Sequence, residues 1–190
     1  MRKYILLTGP LVLALAFAIP SYADTIYTAI LLGSNEVPPT GSTATGFATF
    51  TLSGNLLTID ESFTGLTTPA SAAHIHCCGP LGVNEMVAVP FTGFPNTISG
   101  TFDKTVDLSL AATYTAAFIT QEGGTTALAE SGLIAALNSG NTYANIHNTT
   151  FPSGEIRGQI TVLTPEPSSL LLFGTGLIAA VQAARKKIRM

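Results

Sequence analysis

Residues 44–53 read Ala-Thr-Gly-Phe-Ala-Thr-Phe-Thr-Leu-Ser, a period-two alternation that a helix cannot use. On a strand, Ala44, Gly46, Ala48, Phe50 and Leu52 share one face, and Thr45, Phe47, Thr49 and Thr51 share the other. Ser53-Gly54-Asn55 is a turn, and Leu56 to Phe63 reads as the hairpin partner. Further short runs rich in Thr, Ala, Val, Ile and Phe lie at 25–32, 71–78, 86–91, 97–103, 142–149 and 155–163. About eight strands in one domain predict an all-β fold, either a two-sheet Greek-key sandwich or a closed Greek-key barrel. One segment breaks the pattern: Ala127 to Asn138 carries Leu128, Leu133, Ile134 and Leu137 at helical spacing. Thr125 and Thr126 are available as caps and Gly140 as a stop, so a single short helix is expected there. Thr113 to Phe118 fits either a second helical turn or a loop.

The two ends read as addresses rather than as fold. Met1-Arg2-Lys3 precedes an apolar run from Tyr4 to Ile19, and Ser21 and Ala23 place small residues before Asp24. That is the layout of a cleavable signal peptide over 1–23. An uncleaved anchor is the competing reading, but the run is shorter than the ~20 residues a membrane span prefers. At the other end, Pro165-Glu166-Pro167-Ser168 leads into an apolar stretch from Ser169 to Ala184 and then Arg185-Lys186-Lys187-Ile188-Arg189. A helix over that stretch reaches roughly 24 Å, somewhat short of a ~30 Å hydrocarbon core, and reads as a stop-transfer transmembrane segment with its basic end in the cytoplasm. This arrangement over 165–190 resembles the PEP-CTERM sorting signal of exopolysaccharide-producing Gram-negative bacteria. The resemblance implies that exosortase, a membrane protease, recognises the motif and removes the tail, so contact with the inner membrane is transient. A permanent single-pass anchor is the other reading of the same residues.

Charge narrows the partners. Residues 24–164 carry only Lys104 and Arg157 against ten carboxylates, a net of −8, which repels phosphate backbones and makes nucleic acid a poor partner. No Gly-x-Ser-x-Gly elbow and no phosphate-cradling glycine loop is present in the sequence. Asp60 and Glu61 are adjacent on a strand, point to opposite faces and cannot act together, and both they and the pair Asp103, Asp107 read as solvated charge.

All three histidines fall in two short motifs, Ala73-His74-Ile75-His76-Cys77-Cys78 and Tyr143-Ala144-Asn145-Ile146-His147. On strands, His74, His76 and Cys78 share a face, as do Tyr143, Asn145 and His147. Two alternating imidazoles on one strand can meet a third on a neighbour, which is how β-proteins build copper or zinc sites. The same pattern describes histidines that hydrogen-bond across strands to fix register. Cys77 and Cys78 are the only cysteines. In an exported chain they can form a vicinal disulfide, pair between molecules, or leave Cys78 as a soft ligand beside the histidines.

Four motifs occur in the order expected of a CHRD domain: Glu36-Val37-Pro38-Pro39, Ala73-His74-Ile75-His76, Tyr143-Ala144-Asn145-Ile146-His147 and Gly154-Glu155-Ile156-Arg157-Gly158-Gln159. The chain resembles that family over roughly Thr25 to Leu163. The family's usual Gly after the Asn of its first loop is Glu85 here. The resemblance implies a β-rich extracellular domain and no known enzyme. Arg157, one of two basic residues in the acidic middle, is expected to pair with a carboxylate; Glu36 and Glu155 are the candidates, and a Glu36–Arg157 pair would close the barrel.

The expectation is thus a signal peptide (1–23), a CHRD-type β domain (24–164) and a sorting tail (165–190). The protein would reach the cell surface or surrounding matrix as a non-enzymatic structural or binding component, with exopolysaccharide or surface proteins as partners. The alternative is a copper- or zinc-binding protein using His74, His76 and His147, with Cys78 as a further ligand and redox activity in reach.

Overall fold

A computed structural model describes residues 24–163. The predicted signal peptide, the sorting motif and the apolar tail helix lie outside these residues. Along the chain come β1 (Thr25–Leu32), β2 (Thr45–Ser53), β3 (Leu56–Thr64), β4 (Ala70–Cys77), β5 (Met86–Pro90), β6 (Gly100–Asp107), α1 (Ala116–Gln121), α2 (Thr126–Ser139), β7 (Thr142–Asn148) and β8 (Ile156–Val162). Among the described residues no helix is long and apolar enough to cross a membrane.

The strands form one antiparallel sheet in the order β5-β4-β7-β8-β1-β2-β3-β6, curled into a half-barrel. Chain connectivity requires the curl. β3 and β4 are consecutive in sequence but five places apart in the sheet, roughly 24 Å if it were flat. Thr64 and Ala70 are joined by six peptide steps, which reach only about 20 Å fully extended. Bending the sheet brings its edges together, and the gap between β5 and β6 is filled by aromatic rings. Phe91 stacks on Phe102 with centroids 5.4 Å apart, and Phe94 sits 5.1 Å from Phe63 and 5.2 Å from Phe102.

The β2–β3 hairpin follows directly from its turn. Ser53 pairs with Leu56 across Gly54-Asn55, and Gly54 takes φ 58°, the left-handed value that a two-residue loop of type II′ needs first. Alternation then decides the core: Tyr27, Ala29 and Leu31 of β1, Ala48 and Phe50 of β2, and Leu57, Ile59 and Phe63 of β3 all point inward. Two helices close the core, one more than the single expected helix. In α1, Thr115 caps the first turn through its hydroxyl to Phe118 N, and Phe118 is buried. In α2, Thr125 caps Leu128 N, and Gly140 ends the helix at φ 70°. Ala129, Leu133, Ala136 and Leu137 form the buried stripe, while Leu128 is 48 % exposed. The expected strand over 97–103 instead runs from Gly100 to Asp107. Thr97 and Ile98 spend their carbonyls on Ala70 N and Leu66 N, tying the sheet's two ends together before β6 begins.

One charged residue contradicts the sequence reading. Asp60 is exposed, but Glu61 is fully buried on the inward face between Ile59 and Phe63.

Candidate metal centre

β4 and β7 lie side by side, with His74 opposite Asn145, His76 opposite Tyr143 and Ala72 opposite His147. Period-two alternation sends Ala73, Ile75, Ala144 and Ile146 into the core. The same alternation puts His74, His76, Tyr143, Asn145 and His147 on the outer face, as the motifs implied. There the three imidazoles converge: one nitrogen from each lies within 4.8 Å of the other two. His74 Nδ1 is 3.2 Å from His147 Nε2. Two nitrogens sharing a tetrahedral zinc ion lie about 3.3 Å apart, so this pair is already at ligand spacing.

The outer face is covered rather than open. The loop from Cys78 to Glu85 folds back over it, and His76 Nδ1 donates to the Glu85 carbonyl at 2.7 Å. That bond fixes the tautomer and leaves the Nε2 lone pair of His76 free, buried and without a partner. His147 Nδ1 lies 3.0 Å from the Pro152 carbonyl, which fixes its Nε2 in the same way. Burial pushes His74 down to about 4, helped by the neighbouring imidazoles, and pushes His76 down to about 4 against the opposing bond to Glu85. Burial lowers His147 as well. The cluster is therefore neutral at physiological pH, the state in which imidazole binds metal.

Arg157 does not make the expected ion pair. Its guanidinium stacks on the Tyr143 ring at 3.3 Å and donates to Asn84 Oδ1 at 3.0 Å and to the Val83 carbonyl at 2.7 Å. Tyr143 in turn stacks on His76, 4.5 Å between centroids and 5° from parallel. Arg157 thus latches the covering loop, and Asn84 extends the latch by donating to the Val37 carbonyl at 2.8 Å. Glu36 acts on Arg157 only through its field. Its carboxylate instead accepts from Asn145 Nδ2 at 3.5 Å and lines a cleft of about 330 Å³ with Pro38, Pro39, Phe151 and Pro152. Glu155 is also occupied elsewhere, accepting bonds from Ser42, Thr67 and Asn148. The reason for both corrections is geometric: the loop carbonyls reach the guanidinium first. Arg157→Met is expected to lower stability by about 2–4 kcal/mol, because it removes two charge-assisted bonds and a desolvated cation–π contact. A denaturation midpoint equal to that of the unmodified protein would show that the loop is held by other means.

Cys78 also leaves the candidate ligand set. Cys77 and Cys78 are joined in a disulfide, and a disulfide sulfur lacks the thiolate charge that binds metal. Cys77 points into the core, where it is fully buried. The site's contributors that sequence reading did not single out are Asn84, the Glu85 carbonyl and the Pro152 carbonyl. All are loop groups whose position no local pattern encodes.

An antiparallel half-barrel with a neutral imidazole cluster roofed by two loops is a β-rich domain in its architecture. Residues 27–160 match the CHRD domain family, and the chain belongs to it. Residues 163–186 match the PEP-CTERM protein-sorting motif, the signal recognised by exosortase, so the protein is exported and sorted to the surface of a Gram-negative cell. No curated protein and no solved structure matches the chain.

Proposed function

We propose that this CHRD domain is a copper- or zinc-binding component of the bacterial envelope or its exopolysaccharide matrix, with His74, His76 and His147 as ligands. The observation that carries the reading is the convergence of the three ring nitrogens, with the Nε2 of His76 buried and unpartnered. A histidine whose only role is to fix register would spend both nitrogens on hydrogen bonds or water. Here a backbone carbonyl takes the far nitrogen of His76 and of His147, the outer support that metal-bound imidazoles receive. The set holds no carboxylate or thiolate, so calcium and magnesium are poorly served and copper or zinc well served. Sorting to the surface would place the site where such ions are met outside the cytoplasm.

The test is metal content of the exported protein by mass spectrometry, followed by titration of copper and zinc into the metal-free form. One ion per chain is expected, bound below micromolar concentration and weakened at least ~100-fold in His76→Ala. No binding at micromolar metal would overturn the reading and leave the histidines as cross-strand hydrogen-bonding groups between β4 and β7.

A further inference from the structure

We infer that Asn145 Oδ1 is the fourth protein donor of the imidazole site, aimed by Glu36 and given room by Gly154. This rests on the metal reading above and names a ligand beyond the histidines. Asn145 lies on β7 directly opposite His74, and its side chain is buried. Its Oδ1 is 2.9 Å from His147 Nε2. His147 meets a second oxygen on its other side, the Pro152 carbonyl at 3.0 Å from Nδ1. A neutral imidazole has one N–H to give. Whichever nitrogen carries it, the other presents a lone pair to an oxygen at close range, and two lone pairs in contact repel. With the proton on Nδ1, a cation held between Nε2 and Oδ1 removes the conflict and uses both donors.

The amide cannot escape by turning over. Its Nδ2 faces Glu36 Oε1 at 3.5 Å, so a flip would set Oδ1 against a carboxylate. Glu36 is itself 5 % exposed and held in the loop that precedes Pro38 and Pro39. Gly154 completes the arrangement. It takes φ 126°, and a Cβ there would collide with both Glu36 Oε1 and Asn145 Nδ2. The sequence thus places a glycine where the amide and carboxylate must approach the backbone. Three neutral imidazoles and one amide oxygen form an N₃O set. Its hard fourth donor favours a divalent ion, zinc or Cu(II), over Cu(I), which prefers soft ligands. The Glu36 charge, one residue removed, offsets the ion's charge without entering its shell.

Cobalt(II) and zinc are the probes, added to the metal-free exported protein, with Asn145→Leu, Asn145→Asp and Glu36→Gln beside the unmodified chain. Asn145→Leu is expected to weaken zinc ~10–100-fold and to shift the visible cobalt bands, because the donor set itself changes. Asn145→Asp keeps an oxygen at the ion but sets its second one against Glu36 Oε1, so it should change zinc affinity and also shift the bands. Glu36→Gln should weaken zinc ~10-fold with bands close to the original, the mark of a positioning residue. If the unmodified protein binds one ion and both Asn145 variants match its affinity and its cobalt spectrum, the inference is overturned while the three-histidine site stands. If the unmodified protein binds no ion, the metal reading falls and takes this inference with it. The aspartate variant retains the size of asparagine, which keeps the test decisive should the leucine variant fail to fold.

Discussion

Glu155→Ala is expected to destabilise the domain by about 3–5 kcal/mol and to lower its melting temperature by roughly 10 °C. Glu155 is fully buried, and its carboxylate gathers donors from three separate stretches of chain. Ser42 Oγ donates at 2.5 Å, Thr67 gives its N–H at 2.9 Å and its hydroxyl at 2.7 Å, and Asn148 Nδ2 completes the shell. Its own carbonyl accepts from Thr40 at 2.8 Å. These donors come from the segment between β1 and β2, the short β3–β4 connection and the end of β7. One side chain therefore ties down the connection that forces the sheet to curl. Alanine would strand several buried donors at once, and each unpaired buried polar group costs about 1–3 kcal/mol. Glu155→Gln is a milder probe: it retains an oxygen but turns one acceptor into a donor facing other donors, so a loss of about half that size is expected. A melting temperature for Glu155→Ala within 2–3 °C of the unmodified protein would show that the closure is made elsewhere.

This role was only half visible in the sequence. The spacing Gly154-Glu155-Ile156-Arg157 invited a pairing between the two charges, because they share a strand face. The carboxylate instead finds neutral donors, Asn148 nearby and Ser42 and Thr67 on loops more than eighty residues away in sequence, and no local pattern encodes that. The strands themselves were legible because nearly every one is a short β-branched or aromatic run with a glycine, proline or asparagine turn beside it. The histidine face was legible for the same reason: a period of two assigns each residue to a side before any fold is known. What could not be read was strand order. β4 pairs with β7 and β1 with β8, contacts across long sequence separations that alternation does not specify. The latch of Arg157 on Asn84 and Val83 depends on the path of a loop and was likewise hidden. Glu61 is a different kind of miss, since the signal was present. It has the parity of Leu57, Ile59 and Phe63, which marks it as inward, and on this strand the periodicity outweighs the general rule that charge is solvated.

That parity leads to the second large effect. Glu61→Leu is expected to stabilise the domain by about 2–4 kcal/mol near pH 8, the reverse of most core substitutions. Neither carboxylate oxygen of Glu61 has a hydrogen-bond partner, and its cross-strand neighbours are Ala48 and Phe102. Burial pushes it up to about 8 from an ordinary 4.5. The folded protein therefore holds this proton more tightly than the unfolded chain, and stability falls as pH rises from 4.5 toward 8 at about 1.4 kcal/mol per pH unit. Two imidazoles act in the opposite direction at the acid end. His74 and His76 are lowered to about 4, so the unfolded chain takes up their protons first, and stability is lost as pH falls below 6.5. Between pH 6.5 and 8 the histidines, His147 included, are neutral in the folded protein while the unfolded chain gives up its last imidazole protons, which offsets part of the Glu61 slope, so the Glu61 contribution is read as the difference between the two proteins. Denaturation of the metal-free protein beside Glu61→Leu across that window should show the variant gaining roughly 1.5 kcal/mol on the unmodified protein as pH rises from 6.5 to 8. Leucine nearly matches glutamate in volume and carries no polar atom into a site lined by Ile59, Phe63 and Phe102, so the gain needs no repacking. A variant that retains the full slope, or that melts below the unmodified protein at pH 8, would mean that the carboxyl group is satisfied in the folded state and that its burial carries no penalty.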